Sequence, residues 1–265
     1  VRNTDFISKE TKLFVSLSEM PGNTGTVWFN KMFTQKKIDA IYKAFQVDRN
    51  DFKSAFDGVR ALKVSGGAIS MPFKTQAAQG VDELRGVASV IGAINTFKRE
   101  ESGKISGYNT DYIAACRSLP LKYRSIYMLG TGGVAASIAW AIRDQKSGPL
   151  TVISRNRDRN SIPKDVEFEW RSWESQEKLP APEVLINATS LGMSSTAELT
   201  IPEQWWRDLK WVMDLTYRPE GNKLAREVGV RKIEFIDGKK FARWQALEQF
   251  KIYTGLEIDE QESDY

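Results

Sequence analysis

Between Ser125 and Ile142 a short apolar stretch runs through a glycine-rich turn into a run of small residues. Gly130, Gly132 and Ala135 fall in the spacing GxGxxA, with Gly133 and Val134 completing the turn. That arrangement suits the pyrophosphate of a dinucleotide. The first glycine permits the sharp turn, the second lets the backbone approach a phosphate, and the alanine keeps the helix close to its sheet. The positive end of the helix can then hold phosphates without a lysine. A plain strand-turn-helix connection remains the competing reading, and the flanking strand and helix favour the dinucleotide.

The end of the next strand selects between dinucleotides. An NAD site normally carries Asp or Glu there, against the ribose hydroxyl. Here the position is Ser154, followed by Arg155, Asn156, Arg157, Asp158 and Arg159. A carboxylate would repel a 2′-phosphate, whereas a guanidinium grips it with paired, charged hydrogen bonds. The expected cofactor is therefore NADP, held first by Arg155 with Arg157 or Arg159 assisting. Asp158 keeps a merely solvated basic turn in play.

Composition narrows the chemistry that can accompany such a cofactor. The chain has 265 residues, no histidine and one cysteine, Cys116. Histidine-based triads, Cys-His pairs and HExxH zinc sites are excluded. No dense acidic loop offers a carboxylate metal site, so no metal is expected. Hydride transfer to a ketone builds negative charge on oxygen and needs a proton donor. Without histidine, Lys74 or a tyrosine must serve. Lys74 follows a short apolar strand and Pro72, which would aim it from a fixed edge. Asp111 opens a helical stretch after a hairpin pattern. Taken singly, Lys74 reads as a solvated surface lysine and Asp111 as a helix cap.

The elements that must position these groups alternate between short strands and amphipathic helices, the mark of an α/β fold. Strands are expected over 13–17, 41–45, 67–71, 125–129, 150–154, 184–188, 211–215 and 232–236. A hairpin is expected from 93–99 and 104–107, around the Glu-Ser-Gly turn. Helices are expected from Thr24 or Gly25 to Lys37, and over 51–62, 134–143, 222–228 and 241–254, with a short one leading from Asp111 to Pro120. The stretch 163–182, with Trp170 and Trp173 among charges, fits neither period, and its aromatics read as packing. The formal charge of +4 comes from scattered residues, so no nucleic-acid partner is expected. No apolar run reaches 18 residues, which argues against a membrane-spanning helix. The polar opening segment lacks a secretory core, although the first residue is not Met and a processed leader stays open.

Taken together, the motifs resemble the shikimate dehydrogenase family along nearly the whole chain, in family order. The segments are SLS at 16–18, SMPFK at 70–74, GAINT at 92–96, YNTD at 108–111, GTGGVA at 130–135, SRN at 154–156, NATSLGM at 187–193, DLTYRP at 214–219 and DG at 237–238, with Gln245 in the closing helix. The resemblance implies an N-terminal α/β substrate-binding and catalytic domain over 1–111. It implies a Rossmann-like NADP-binding domain over 112–238, and a C-terminal helix within 239–265 that returns to the first domain. It implies hydride transfer between NADP(H) and shikimate or 3-dehydroshikimate, in a cytoplasmic monomer or homodimer. The partner is a small cyclic hydroxy acid.

Residue by residue, Lys74 and Asp111 match the catalytic pair. Ser16 and Ser18 match the hydroxyls that hold the substrate carboxylate. Asn95, Asp111 and Gln245 match residues around the ring hydroxyls, Ser70 stands as a substrate-side hydroxyl in place of the family's threonine, and Tyr217 lies in the DxxY segment. Asn187, Thr189, Met193, Leu215 and Gly238 match coenzyme-side positions. Departures cluster in the substrate half. Glu19-Met20-Pro21 and the following GNTGTVWFN replace a shorter loop, Ala68 stands where an asparagine is usual, and Lys240-Phe241-Ala242 replaces Gly-Met-Leu. These point to an altered substrate preference, with ordinary shikimate or quinate and other small hydroxylated acids as the other readings. A non-catalytic NADP(H)-binding interaction or redox-sensing protein of the same fold is the alternative outside enzymes.

Overall fold

The computed structural model describes residues 7–120, 123–157, 162–194, 196–216, 218 and 220–262. They form two compact units, one of residues up to Thr110 together with those from Gln245 on, the other of Asp111–Trp244.

The first unit contains Lys12–Ser18 (β1), Thr24–Gln35 (α1), Ala40–Gln46 (β2), Phe52–Ala61 (α2) and Gly66–Ile69 (β3). Lys74–Gly80 (α3), Glu83–Leu84 (β4), Ala88–Ile91 (α4), Thr96–Arg99 (β5) and Ile105–Tyr108 (β6) follow. The strands lie in the order β2-β1-β3-β5-β6-β4. β1 pairs in parallel with β2 and β3, while β5 is antiparallel to β3 and β6.

Strand alternation sorts the faces of this sheet. Val15 and Leu17 of β1 join Phe52, Phe56, Val59, Phe73 and Phe97 in one core. Phe14 points the other way, with ring centroids 5.4 Å from Phe33 of α1 and 4.8 Å from Tyr253. Ser16 and Ser18 share that second face with Phe14. α2 forms because Phe52, Phe56 and Val59 repeat at helical spacing and are all buried.

The second unit contains Thr110–Ser118 (α5, from its second residue), Ile126–Leu129 (β7), Ala135–Gln145 (α6), Leu150–Ser154 (β8) and Glu169–Ser172 (β9). Val184–Asn187 (β10), Trp211–Asp214 (β11), Lys223–Arg231 (α7) and Glu234–Asp237 (β12) complete it. Gly238–Thr254 (α8) closes the fold, its residues from Gln245 on belonging to the first unit. The sheet order β12-β11-β10-β7-β8-β9 is parallel throughout. Numbered within the unit this is 3-2-1-4-5-6, the Rossmann order, whose switch point falls between β7 and β10.

The structure departs from expectation where the apolar pattern is thin. α3, α4 and β4 form where no element was expected, and β9 and a 3-10 helix at Trp173–Lys178 occupy the ambiguous stretch. The first hairpin strand starts at Thr96, because the Ile94 N–H donates instead to the Lys74 carbonyl at 3.0 Å. α7 runs on to Arg231, and Lys232 adopts a left-handed φ of 55°, so the strand begins at Glu234. α8 begins at Gly238, ahead of the apolar pattern at Phe241.

Phe97 is fully buried and meets Phe56 edge-on at 5.5 Å. Phe97→Ala should therefore destabilise the protein by about 3–5 kcal/mol. A denaturant titration following the unfolding of the first unit measures it.

Candidate functional site

In the first unit the expected substrate residues gather at the C-terminal ends of β1 and β3. The Ser70 N–H donates to the Leu17 carbonyl at 3.0 Å and the Glu19 N–H to Met71 at 3.3 Å, tying the two strand ends together. The Ile69 N–H donates to the Asn95 carbonyl at 2.9 Å, bringing the GAINT segment to the same place. Ser18 is buried, Ser16 half-buried and Ser70 exposed. The Ser18 hydroxyl accepts the Met20 N–H at 3.2 Å, which leaves its proton free to be donated. Beyond it, Glu19 accepts two bonds from Arg49, at 2.7 and 3.0 Å. Those hydrogen bonds, with the adjacent charge, hold the Glu19 carboxyl below the usual carboxylate range.

Lys74 is the first residue of α3 and half-buried. Its position is set by its neighbour. Phe73 is 1% exposed and stacks on Phe52 at 4.5 Å, while its N–H donates to the Ser70 carbonyl at 3.0 Å. The backbone carrying the ammonium group is thus clamped to the core.

Asn95 is buried, and its amide is largely committed. Its Oδ1 accepts the Thr110 N–H at 2.8 Å and the Thr96 hydroxyl at 2.9 Å, and its Nδ2 donates to the Thr110 hydroxyl at 3.0 Å. Asn95 therefore fixes the start of α5, where Asp111 sits in the first turn, buried. A carboxylate there is favoured by the helix dipole.

On α8 the face Gln245, Gln249, Tyr253 repeats every four residues. Gln249 donates to the Thr96 hydroxyl at 3.1 Å, and Tyr253 packs on Phe14. Thr96, Ala68 and Ser16 form one row across the sheet. Gln245 lies one turn before Gln249 on the same helix. Gln249 was not expected in this role, since its partners lie more than 150 positions earlier, at Asn95 and Thr96.

In the second unit Gly130 adopts φ 94°, and a Cβ there would lie 2.8 Å from the Thr189 methyl. At Gly132 a Cβ would meet only the Ala188 carbonyl, at 3.5 Å. Gly132 and Gly133 are exposed, Val134 half-buried, and Ala135 is buried where α6 begins. The absence of a side chain at Gly132 is thus not required by packing. It leaves an open cradle at the start of α6, where the Ala135 N–H donates to the Gly132 carbonyl at 2.9 Å. The residues fit a bound dinucleotide.

Ser154 is buried and its hydroxyl is used by the turn itself. It donates to the Asn156 carbonyl at 2.7 Å and accepts the Trp170 indole N–H at 3.0 Å. It shapes the turn that presents the exposed Arg155 and Arg157. Trp170 is thereby a support for this turn, beyond simple packing. Arg159 and Tyr217 lie outside the described residues.

The loop after β10 is cross-linked by side chains. Asn187 accepts the Thr189 N–H at 3.1 Å and its hydroxyl at 2.6 Å, and donates to Leu191 O at 2.9 Å and Asp214 Oδ1 at 2.8 Å. The Leu215 N–H donates to the Asn187 carbonyl at 3.1 Å. At Gly238 a Cβ would lie 2.7 Å from the Leu215 and Thr216 carbonyls. Met193 is half exposed, at 49%. No described group of three or more His, Cys, Asp or Glu can hold a metal ion. Among the described residues, no helix is long and apolar enough to cross a membrane.

A parallel Rossmann sheet with a glycine turn at its switch point, joined to an α/β unit carrying hydroxyls and a clamped lysine, defines a two-domain class of dinucleotide-binding proteins. Residues 24–97 match the shikimate dehydrogenase substrate binding domain. The chain is 31% identical over 255 residues to a shikimate dehydrogenase-like protein of Haemophilus influenzae, covering 94% of this chain and 92% of that one. It is 34% identical over 241 residues to a shikimate dehydrogenase (NADP(+)) of Pyrococcus abyssi, covering 88% of each. The crystal structure of shikimate dehydrogenase from Aquifex aeolicus superposes with a TM-score of 0.83 at 28% identity, over 98% of both chains. The chain belongs to the shikimate dehydrogenase family.

The contrast between the two glycines is testable. Gly130→Ala should lower stability by about 1–2 kcal/mol or more, from the positive φ and the close approach. Gly132→Ala should melt like the wild type yet weaken dinucleotide binding about tenfold or more. Thermal melting and nicotinamide fluorescence titration of both variants check this.

Proposed function

We propose that this protein is an NADP-dependent oxidoreductase acting on shikimate and 3-dehydroshikimate, or on a closely related cyclic hydroxy acid, as a cytoplasmic monomer or homodimer. The observation that carries it is the gathering of Ser16, Ser18, Ser70, Lys74 and Asn95 at one end of the first sheet, in a chain whose family relatives match along nearly its whole length.

When bound, the coenzyme supplies or accepts the hydride. The chain's own residues bind, orient and move the proton. Ser16 and Ser18 donate hydroxyl hydrogen bonds to the substrate carboxylate. Ser70, Asn95 and Gln245 hold ring hydroxyls. Lys74 binds the reacting oxygen and gives it a proton as negative charge develops, which is general acid catalysis. Asp111 orients the ammonium group and accepts a substrate hydroxyl. Tyr217 stands next in line as a proton donor. On the coenzyme side Gly130, Gly132, Gly133, Val134 and Ala135 hold the pyrophosphate, with Arg155 and Arg157 on the 2′-phosphate. Thr189, Met193, Leu215 and Gly238 shape the nicotinamide end.

Ala68 supports an altered preference within this class. It sits in the sheet row between Ser16 and Thr96, and a methyl there offers no hydrogen bond to a buried hydroxyl. A substrate hydroxyl left unpaired changes preference by orders of magnitude. A coenzyme-reduction screen of shikimate, quinate and their amino and deoxy analogues, with NADP and NAD, tests the reading. Tight NADP binding without turnover of any of them would replace it with a coenzyme-binding module.

Two variants test the assignments. Arg155→Ala should weaken NADP binding about 10- to 100-fold and NAD binding little, since only NADP carries the phosphate. Equal losses would move the phosphate site elsewhere. Lys74→Ala should cut turnover about 10²- to 10⁴-fold with melting and NADP affinity near normal. Steady-state kinetics beside a coenzyme titration separate these effects.

A further inference from the structure

Asp214 ends β11 with its side chain 1% exposed. Among the described residues, every hydrogen-bond partner of its carboxylate is a neutral donor. Oδ1 accepts from the Asn187 amide at 2.8 Å, the Thr216 N–H at 3.0 Å and the Thr216 hydroxyl at 2.8 Å. Oδ2 accepts from the Asn222 amide at 2.7 Å. Burial raises the Asp214 pKa, and these hydrogen bonds offset part of that rise. An apolar residue of similar size would end the strand without desolvating a charge, so the carboxylate calls for another explanation.

The two amides cannot turn to accommodate anything else. Asn222 spends its Oδ1 on the Ala225 N–H at 2.8 Å, capping α7. Asn187 spends its Oδ1 on the N–H and hydroxyl of Thr189. Both must present N–H groups to position 214, which therefore requires a group that only accepts.

What the carboxylate holds lies on the coenzyme side. Through Asn187 it fixes Thr189, whose methyl lies 2.8 Å from where a Cβ on Gly130 would stand. Through Thr216 it fixes the hydroxyl 3.1 Å from a Cβ position on Gly192, and the carbonyl 2.7 Å from that on Gly238. We infer that Asp214 is a positioning residue of the coenzyme site, a buried acceptor that sets the loop after β10 against the glycine turn and Thr216 against the start of α8. This rests on the NADP reading above.

The test uses the full chain and NADPH fluorescence titration, with KM for both reactants as a second readout. Asp214→Asn places an N–H group against locked donors. The Kd for NADPH and the KM for NADP should rise about tenfold or more, with KM for shikimate changed less than about twofold and the preference for NADP over NAD kept. A merely structural residue would lower the melting temperature without that split. Combining Asp214→Asn with Asn222→Asp returns a carboxylate to the same hydrogen bond and keeps an N-cap acceptor, and it should restore NADPH binding to within about threefold. A wild-type Kd in Asp214→Asn, or no recovery in the double variant, would overturn the assignment. If Asp214→Asn does not fold, Thr216→Val, which removes one donor and keeps the backbone N–H, decides the matter by weakening NADPH binding or leaving it unchanged. Wild-type protein that binds NADPH but turns over no cyclic hydroxy acid would sink the substrate reading alone, with the Kd values still judging Asp214. Wild-type protein that does not bind NADPH overturns both.

Discussion

A strand that ends inside a protein leaves backbone N–H and C=O groups without ladder partners, and each must be satisfied. In both units the ends of parallel strands are where this problem and the chemistry coincide. Asn95 meets it in the first unit, accepting the Thr110 N–H while its own backbone carbonyl takes the Ile69 N–H. Asn187 and Asp214 meet it in the second, Asn187 accepting the Thr189 N–H and donating to the Leu191 carbonyl, and Asp214 accepting the Thr216 N–H. The side chains that terminate the strands also fix the loops that carry functional groups. The stability of the sheet ends and the geometry of the site are one set of hydrogen bonds.

How much of this was legible depends on the range of the interactions. Strands β1 and β8 and helix α2 announce themselves, because their apolar residues repeat at the period of the element that buries them. α3 does not. It buries only Ala77 and Ala78, so its sequence carries no amphipathic signal, although Lys74 stands at its start. β9 is an edge strand with no buried residue, and alternation is weak where neither face is fully covered. The Gly130 turn was readable because its demands are local. Asp214 sat in a recognised segment, yet its partner Asn187 lies 27 positions away, and nothing in either neighbourhood signals the pair. Gln249 was hidden for the same reason.

Reading residues by type alone also blurred binding with support. Ser154 stands where a ribose contact is usual, but its hydroxyl is consumed between Asn156 and Trp170. Its contribution is the shape of the turn that exposes Arg155 and Arg157. Asn95 is likewise bound up with Thr96 and Thr110, so its part in the site begins with fixing the start of α5. A polar residue in a motif can act through its neighbours, and only its hydrogen-bond partners separate the two cases.

The distribution of charge explains how a chain without histidine remains suited to this chemistry. Among the described residues, the donors that meet the buried Asp214 carboxylate on the coenzyme side are all neutral. On the proposed substrate side the strand ends present the hydroxyls of Ser16, Ser18 and Ser70, which carry no formal charge. The backbone that carries Lys74 is held by the stacking of Phe73 on Phe52, which suits the proposed response of its ammonium group to charge developing on a carbonyl oxygen. Stabilisation of this kind depends on donors fixed before the reaction. The altered substrate preference proposed for this chain rests elsewhere, on Ala68 and the loop after Ser18, and changes there leave the Phe73–Phe52 stack in place. The two are separable in the fold, because the stack lies in the core whereas Ala68 lies in β3, between β1 and β5 of the sheet.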